Sequence, residues 1–64
     1  MTLDEIKAAV IDGKTVHWST TAYVVKYNKK GGFNIVYIPD GNCIGLTWRD
    51  GVTLNGKKNE FFIQ

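Results

Sequence analysis

This sequence is short of the residues from which most active sites and covalent frameworks are made. It has one cysteine (Cys43), one histidine (His17), one proline (Pro39) and one methionine. A lone cysteine forms no internal disulfide, which makes an intracellular, cytoplasmic setting the default expectation. One histidine and one cysteine leave a tetrahedral zinc site short of ligands. A Cys–His nucleophile pair would need contact and an orienting third group, and the pattern supplies neither. Apolar runs are short, so none is long enough to span a bilayer. Residues 1–13 are acidic and amphipathic and lack the basic start and apolar stretch of a signal peptide. There is no internal repeat, no low-complexity tract and no glycine-rich loop leading into a helix to cradle phosphate. The acids Asp4, Glu5, Asp12, Asp40, Asp50 and Glu60 fall at helix ends and turns, where each has a local backbone role. The expectation is a protein that is not an enzyme and carries no cofactor.

What remains is an ordinary globular composition. Apolar residues are 44% and charged residues 22%, which argues against disorder. Sixty-four residues make one domain, 1–64, and a chain of this size buries only about 60% of its unfolded surface. The net charge of +2 is mildly basic and falls short of a nucleic-acid footprint.

The organising stretch is 22–38, two runs of β-branched and aromatic residues around Asn28-Lys29-Lys30-Gly31-Gly32. A three-residue loop, Lys29-Lys30-Gly31, with a left-handed Gly31, sets Tyr27 against Phe33, Val25 against Ile35 and Tyr23 against Tyr37 on one face. A slip of one residue would mix the faces by placing Asn34 against Tyr27. Three such cross-strand pairs, at roughly 0.2–1 kcal/mol each, make a local nucleus.

Before this hairpin, Thr2-Leu3-Asp4-Glu5 has the form of a capping box. Leu3, Ile6, Ala9 and Val10 recur at helical spacing and Gly13 suits the C′ position, predicting a helix over 2–12. Lys14–Trp18 reads as a short strand with Val16 and Trp18 on one side, and Ser19-Thr20-Thr21 as a loop. After the hairpin, an Asp40-Gly41 turn predicts Tyr37 opposite Ile44, Ile35 opposite Leu46 and Gly45 opposite Val36, with a strand over 43–47. Asp50-Gly51 and Asn55-Gly56 bracket a short strand, Val52-Thr53-Leu54. Lys57–Glu60 is a polar connection, and Phe61-Phe62-Ile63 is a last strand whose natural partner is Thr15–Trp18. The predicted fold is α+β: a short N-terminal helix packed on a twisted antiparallel β-meander of four to five strands, with closure into a small SH3-like barrel as the variant. Val24, Val36, Ile38 and Cys43 make the outer face more apolar than a solvated face requires. Barrel closure, cover by the helix or an oligomer contact would each account for it.

Candidate binding residues fall in two groups. Trp48 and Arg49 are of the types enriched at interface hot spots, and they stand beside a tight turn with Asp50 and, further on, Asn55. Alternatively Trp48 continues the strand and joins Ile44 and Leu46 in the core. Lys26, Lys29 and Lys30 at the hairpin tip, with Lys57 and Lys58, serve solubility and protect strand ends, or else contact phosphate or an acidic surface.

Two resemblances bear on function. Gly13–Trp18, then Lys30–Ile35, then Asp40-Gly41 loosely resemble the order of cold-shock domains, which stack bases on exposed aromatics. The spacing from Trp18 to Lys30 is too long, Gly32 separates Gly31 from Phe33, the Phe-Val-His segment is missing and a helix is added. The capped helix, Gly-Lys-Thr-Val-His-Trp at 13–18, Cys-Ile-Gly-Leu-Thr-Trp-Arg-Asp-Gly at 43–51, Thr-Leu-Asn-Gly at 53–56 and Phe-Phe-Ile at 61–63 are similar to small uncharacterised proteins of bacteriophages and prophages. That resemblance covers nearly the whole chain and brings no catalytic motif. It implies a small accessory protein in the host cytoplasm that works by protein–protein binding, as a homodimer or as an inhibitor of a host or defence protein. The alternatives are a weak single-stranded nucleic-acid binder and a nucleotide-sequestering protein.

Overall fold

The computed structural model describes all residues, 1–64. The first element is helix α1, Leu3–Ile11. Thr2 caps it in a complete capping box: the Glu5 amide donates to Thr2 Oγ1 at 3.2 Å and the Thr2 amide to Glu5 Oε1 at 2.8 Å. Those hydrogen bonds hold the Glu5 carboxyl below its ordinary pKa, the Thr2 amide being the main cause. Gly13 follows at φ +85°, the left-handed conformation that ends a helix at little steric cost. Ile6 and Ala9 carry the buried stripe.

Five strands follow: β1 (Val16–Trp18), β2 (Thr20–Asn28), β3 (Gly32–Tyr37), β4 (Cys43–Gly45) and β5 (Phe61–Ile63). They form one antiparallel sheet in the order β4-β3-β2-β1-β5. The meander and the return of the last strand onto the first match the sequence-based expectation. The barrel variant does not: β4 and β5 are free edges, and the sheet is open.

The central hairpin has the expected register, with Tyr23–Tyr37, Val25–Ile35 and Tyr27–Phe33 as partners. Its left-handed glycine is Gly32, at φ +72°, one residue later than expected. Other boundaries differ as well. Thr20 and Thr21 belong to β2 rather than to a loop, because Ser19 turns the chain at φ +65° and its amide is taken by the Glu60 carbonyl at 2.8 Å. Strand β4 ends at Gly45, and Val52–Leu54 makes only a single bridge, Leu54 to Thr47. The polar connection at Lys58–Glu60 winds into a 3₁₀ turn.

The β3–β4 register is displaced by two residues: Ile35 faces Ile44, and Gly45 faces Asn34. The loop is longer than the expected two-residue turn. Tyr37 donates to the Asn42 carbonyl at 2.7 Å, and Gly41, at φ +76°, donates back to the Tyr37 carbonyl at 2.8 Å.

The core is Ile6, Ala9, Val16, Val25, Ile35, Leu46 and Phe61, with Leu3, Val10, Tyr23, Phe33 and Leu54 packed around it. Helix α1 packs mainly on β2 and β1, so part of this sheet face lies outside its cover. On the opposite face Phe62, His17, Val24, Val36 and Cys43 form a row of successive cross-strand partners. His17, expected to point outward, is only 8% exposed. The Phe62 ring lies over it at 5.4 Å, and its Nδ1 stands 3.0 Å from the Tyr23 carbonyl, an acceptor that places the ring proton on Nδ1.

Candidate functional site

The segment from Thr47 to Leu54 folds back on itself as a small, strapped loop. Thr47 and Leu54 form a bridge, the Trp48 amide donates to the Thr53 carbonyl at 2.8 Å, and the Gly51 amide returns to the Trp48 carbonyl at 3.0 Å. Asp50 organises the tip. Its Oδ1 accepts the amides of Val52 and Thr53, both at 3.0 Å, and its Oδ2 accepts the Thr53 hydroxyl at 2.6 Å. These bonds lower the Asp50 pKa, the Thr53 hydroxyl first and the two amides after it. Asn55 anchors the base of the loop: its amide donates to the Leu46 carbonyl at 2.9 Å and its side chain to the Gly45 carbonyl at 3.3 Å.

This arrangement sorts the four residues singled out in the sequence. Asp50 and Asn55 build the loop, and Trp48 and Arg49 are displayed by it. Trp48 is 65% exposed and its neighbour at the tip, Val52, is 72% exposed. The chain leaves β4 before Trp48 can join Ile44 and Leu46, so the core placement of Trp48 is set aside. Arg49 is exposed, and the sole ion pair of the molecule lies elsewhere, Lys14 to Asp12 at 3.6 Å.

The five lysines singled out in the sequence fall in two exposed groups. Lys26, Lys29 and Lys30 are exposed along and at the tip of the β2–β3 hairpin. There the Lys30 amide is held by Asn28 Oδ1 at 2.8 Å. Lys57 and Lys58 are exposed at the 3₁₀ turn, where the Lys57 amide donates to Glu60 Oε1 at 2.8 Å. Tyr27 and Phe33, beside the hairpin tip, stack on each other at 4.9 Å, and Lys7 covers the Phe33 ring at 5.6 Å. His17 and Cys43 occupy the same row of the sheet but lie on β1 and β4, with two strands between them. At the usual strand spacing that separates them by about 14 Å, and no Cys–His pair forms. No group of three or more His, Cys, Asp or Glu side chains is placed to hold a metal ion.

A second feature was not singled out in the sequence. An open cavity of about 400 Å³ is lined by Trp18, Tyr23, Ile35, Tyr37, Ile44 and Asp40. Trp18 and Tyr23 meet at 4.9 Å with their planes at 75°, and Tyr23 and Tyr37 lie 4.8 Å apart at 40°. Ile35, 1% exposed, is the floor. Sequence patterning assigns all three aromatics to the inner, helix-facing side, and that is where they are. Beside it lies a bulge that patterning does not show: one step along β1, from His17 to Trp18, corresponds to four steps along β2, from Val24 to Thr20.

No family model matches this chain, and neither a curated protein nor a solved structure does.

Proposed function

We propose that this is a non-enzymatic binding protein that works through protein–protein contact, with the Thr47–Leu54 loop as its contact surface. The observation that carries the reading is Trp48, a large aromatic side chain 65% exposed on a loop whose backbone is already fixed by Asp50. An exposed tryptophan on a mobile loop would lose affinity to ordering, whereas one on a strapped loop keeps most of its burial energy for the partner. Val52 extends the apolar tip and Arg49 adds a planar cation beside it, the pairing of types that dominates interface hot spots. The resemblance drawn from the sequence to small uncharacterised phage proteins fits this reading, since small phage accessory proteins often act by binding and blocking a host or defence protein, or by sequestering a nucleotide signal.

The rings beside the hairpin lysines, Tyr27 and Phe33, stack on each other at 4.9 Å and Lys7 lies over Phe33, which weighs against base stacking there, and the cavity lined by Trp18, Tyr23 and Tyr37 has no lysine or arginine for a phosphate. The discriminating experiment is capture from nuclease-treated host lysate by wild type and by Trp48→Ala side by side. A partner held by wild type and lost by Trp48→Ala, without loss of fold, supports the proposal. Partners that are retained equally by the variant, or that vanish with nuclease, overturn it.

A further inference from the structure

We infer that the cavity between Trp18, Tyr23 and Tyr37 is a binding site for an organic cation of the quaternary or methylated ammonium class. The inference is independent of the Trp48 loop and rests on the make-up of the cavity. Three electron-rich rings border one open space, Trp18 and Tyr23 in edge-to-face contact and Tyr23 and Tyr37 tilted against each other at 4.8 Å. Ring faces carry the negative end of the aromatic quadrupole and attract a cation, tryptophan most strongly.

The charge distribution points the same way. The chain has eight lysines and arginines against six acids, yet none of the eight lines this cavity, and the one acidic side chain that does is Asp40. Asp40 is not free to swing away. Its Oδ1 accepts the Asn42 amide and its Oδ2 the Asn42 side chain, each at 3.0 Å, which fixes the carboxylate at the rim. An anionic ligand would meet a carboxylate and electron-rich rings with no cation to offset them. A neutral apolar ligand would make no use of the Asp40 charge beyond its part in the turn. A methylated ammonium has a greasy surface for Ile35 and Ile44, a positive field for the rings and a counter-charge in Asp40.

The walls are set before any ligand arrives. The Trp18 indole donates through Nε1 to Glu60 Oε1 at 3.3 Å, and it lies 6.4 Å from the Phe61 ring. Glu60 Oε1 is itself held by the Lys57 amide. A site with fixed walls avoids the entropy of assembling them on binding.

The test uses the full chain and four probes: choline, its neutral isostere 3,3-dimethyl-1-butanol, a peptide bearing trimethyllysine and the same peptide with unmodified lysine. Binding is read from ring-proton shifts of Trp18, Tyr23 and Tyr37 by NMR at constant ionic strength. The expected result is that choline, the trimethyllysine peptide or both move these three rings. Choline is then expected to bind about tenfold more tightly than the neutral isostere, and the methylated peptide more tightly than the unmodified one. Binding by choline alone identifies a free small cation as the ligand, and binding by the peptide alone a methylated side chain. Asp40→Asn, which keeps an oxygen for the Asn42 amide, is expected to weaken the cation severalfold and leave the isostere unchanged. Binding of choline and the isostere with equal affinity overturns the inference, as does equal binding of the methylated and unmodified peptides, or rings unmoved by either methylated probe.

Discussion

Gly56 and Trp18 are fitted to each other: a Cβ built on Gly56 would stand 2.6 Å from Trp18 Nε1 and 3.1 Å from Cε2. The 46–60 segment therefore passes flat against the edge of the indole, and Glu60 completes the clamp by accepting its N–H. Gly56 also has φ +146°, a conformation that side-chain-bearing residues rarely adopt.

Gly56→Ala is thus expected to push the indole out of place and to strain the backbone at once. A cost of about 1–3 kcal/mol is expected, a large share of the stability of a chain this short. Urea unfolding measures the loss, and the ring shifts between Trp18 and Tyr23 report the displacement. A variant as stable as wild type with those shifts unchanged would refute the clamp.

Trp48→Ala should behave in the opposite way. Its side chain is exposed and lies outside the core, so its removal is expected to change stability by no more than about 0.5 kcal/mol. The amide of residue 48 still reaches the Thr53 carbonyl. Loss of stability well beyond that range would mean that the indole packs onto the fold and is not held out for a partner.

Much of this architecture is written in local pattern. The capping box, the 22–38 hairpin and the pairing of Phe61–Ile63 with the first strand follow from residue types at fixed spacings. Patterning failed where two solutions put the same side chains on the same face. A slip of two residues between β3 and β4 keeps Ile35, Ile44 and Leu46 on the inner side, so alternation could not tell Ile35–Leu46 from the actual Ile35–Ile44. The longer loop decides it, through Asp40 capping the Asn42 amide and Gly41 taking a positive φ. Trp48 was ambiguous for a related reason. Strand β4 ends at Gly45, where a Cβ would lie 3.1 Å from the Thr47 carbonyl oxygen, and a glycine in a strand signals a break without the direction the chain then takes. The aromatic cavity is hidden because Trp18, Tyr23 and Tyr37 have a core pattern, which shows neither the bulge after His17 nor how far the helix covers the sheet.

The β3–β4 register can be checked by substitution. Ile35 is 1% exposed and its partner Ile44 is 47% exposed. Ile35→Ala is expected to cost about 2–5 kcal/mol through lost burial and the cavity left behind, which approaches the total stability of a domain this small. Ile44→Ala is expected to cost less than about 1 kcal/mol. Denaturant midpoints for the two variants give the comparison, and equal losses would contradict an exposed Ile44 on the sheet edge.

Acid should open the Thr47–Leu54 loop before it unfolds the sheet. The Asp50 carboxyl is held below its ordinary value of 3.8 by the Thr53 hydroxyl and by the amides of Thr53 and Val52. A carboxyl whose pKa is lower when folded stabilises the folded form fully above its ordinary value, and that contribution fades as pH falls through the lowered one. Glu5 follows the same rule at the helix start, where the Thr2 amide is the main partner. Two local transitions are therefore expected on the acid side, one seen in the Thr53 amide and one in the Thr2 amide. Asp50→Asn has no carboxyl to protonate, so it should abolish the pH dependence at Thr53 and leave the Thr2 transition in place. NMR titration of both amides in both proteins resolves the two sites. A Thr53 transition that survives unchanged in Asp50→Asn would show that something other than this carboxylate straps the loop that carries Trp48.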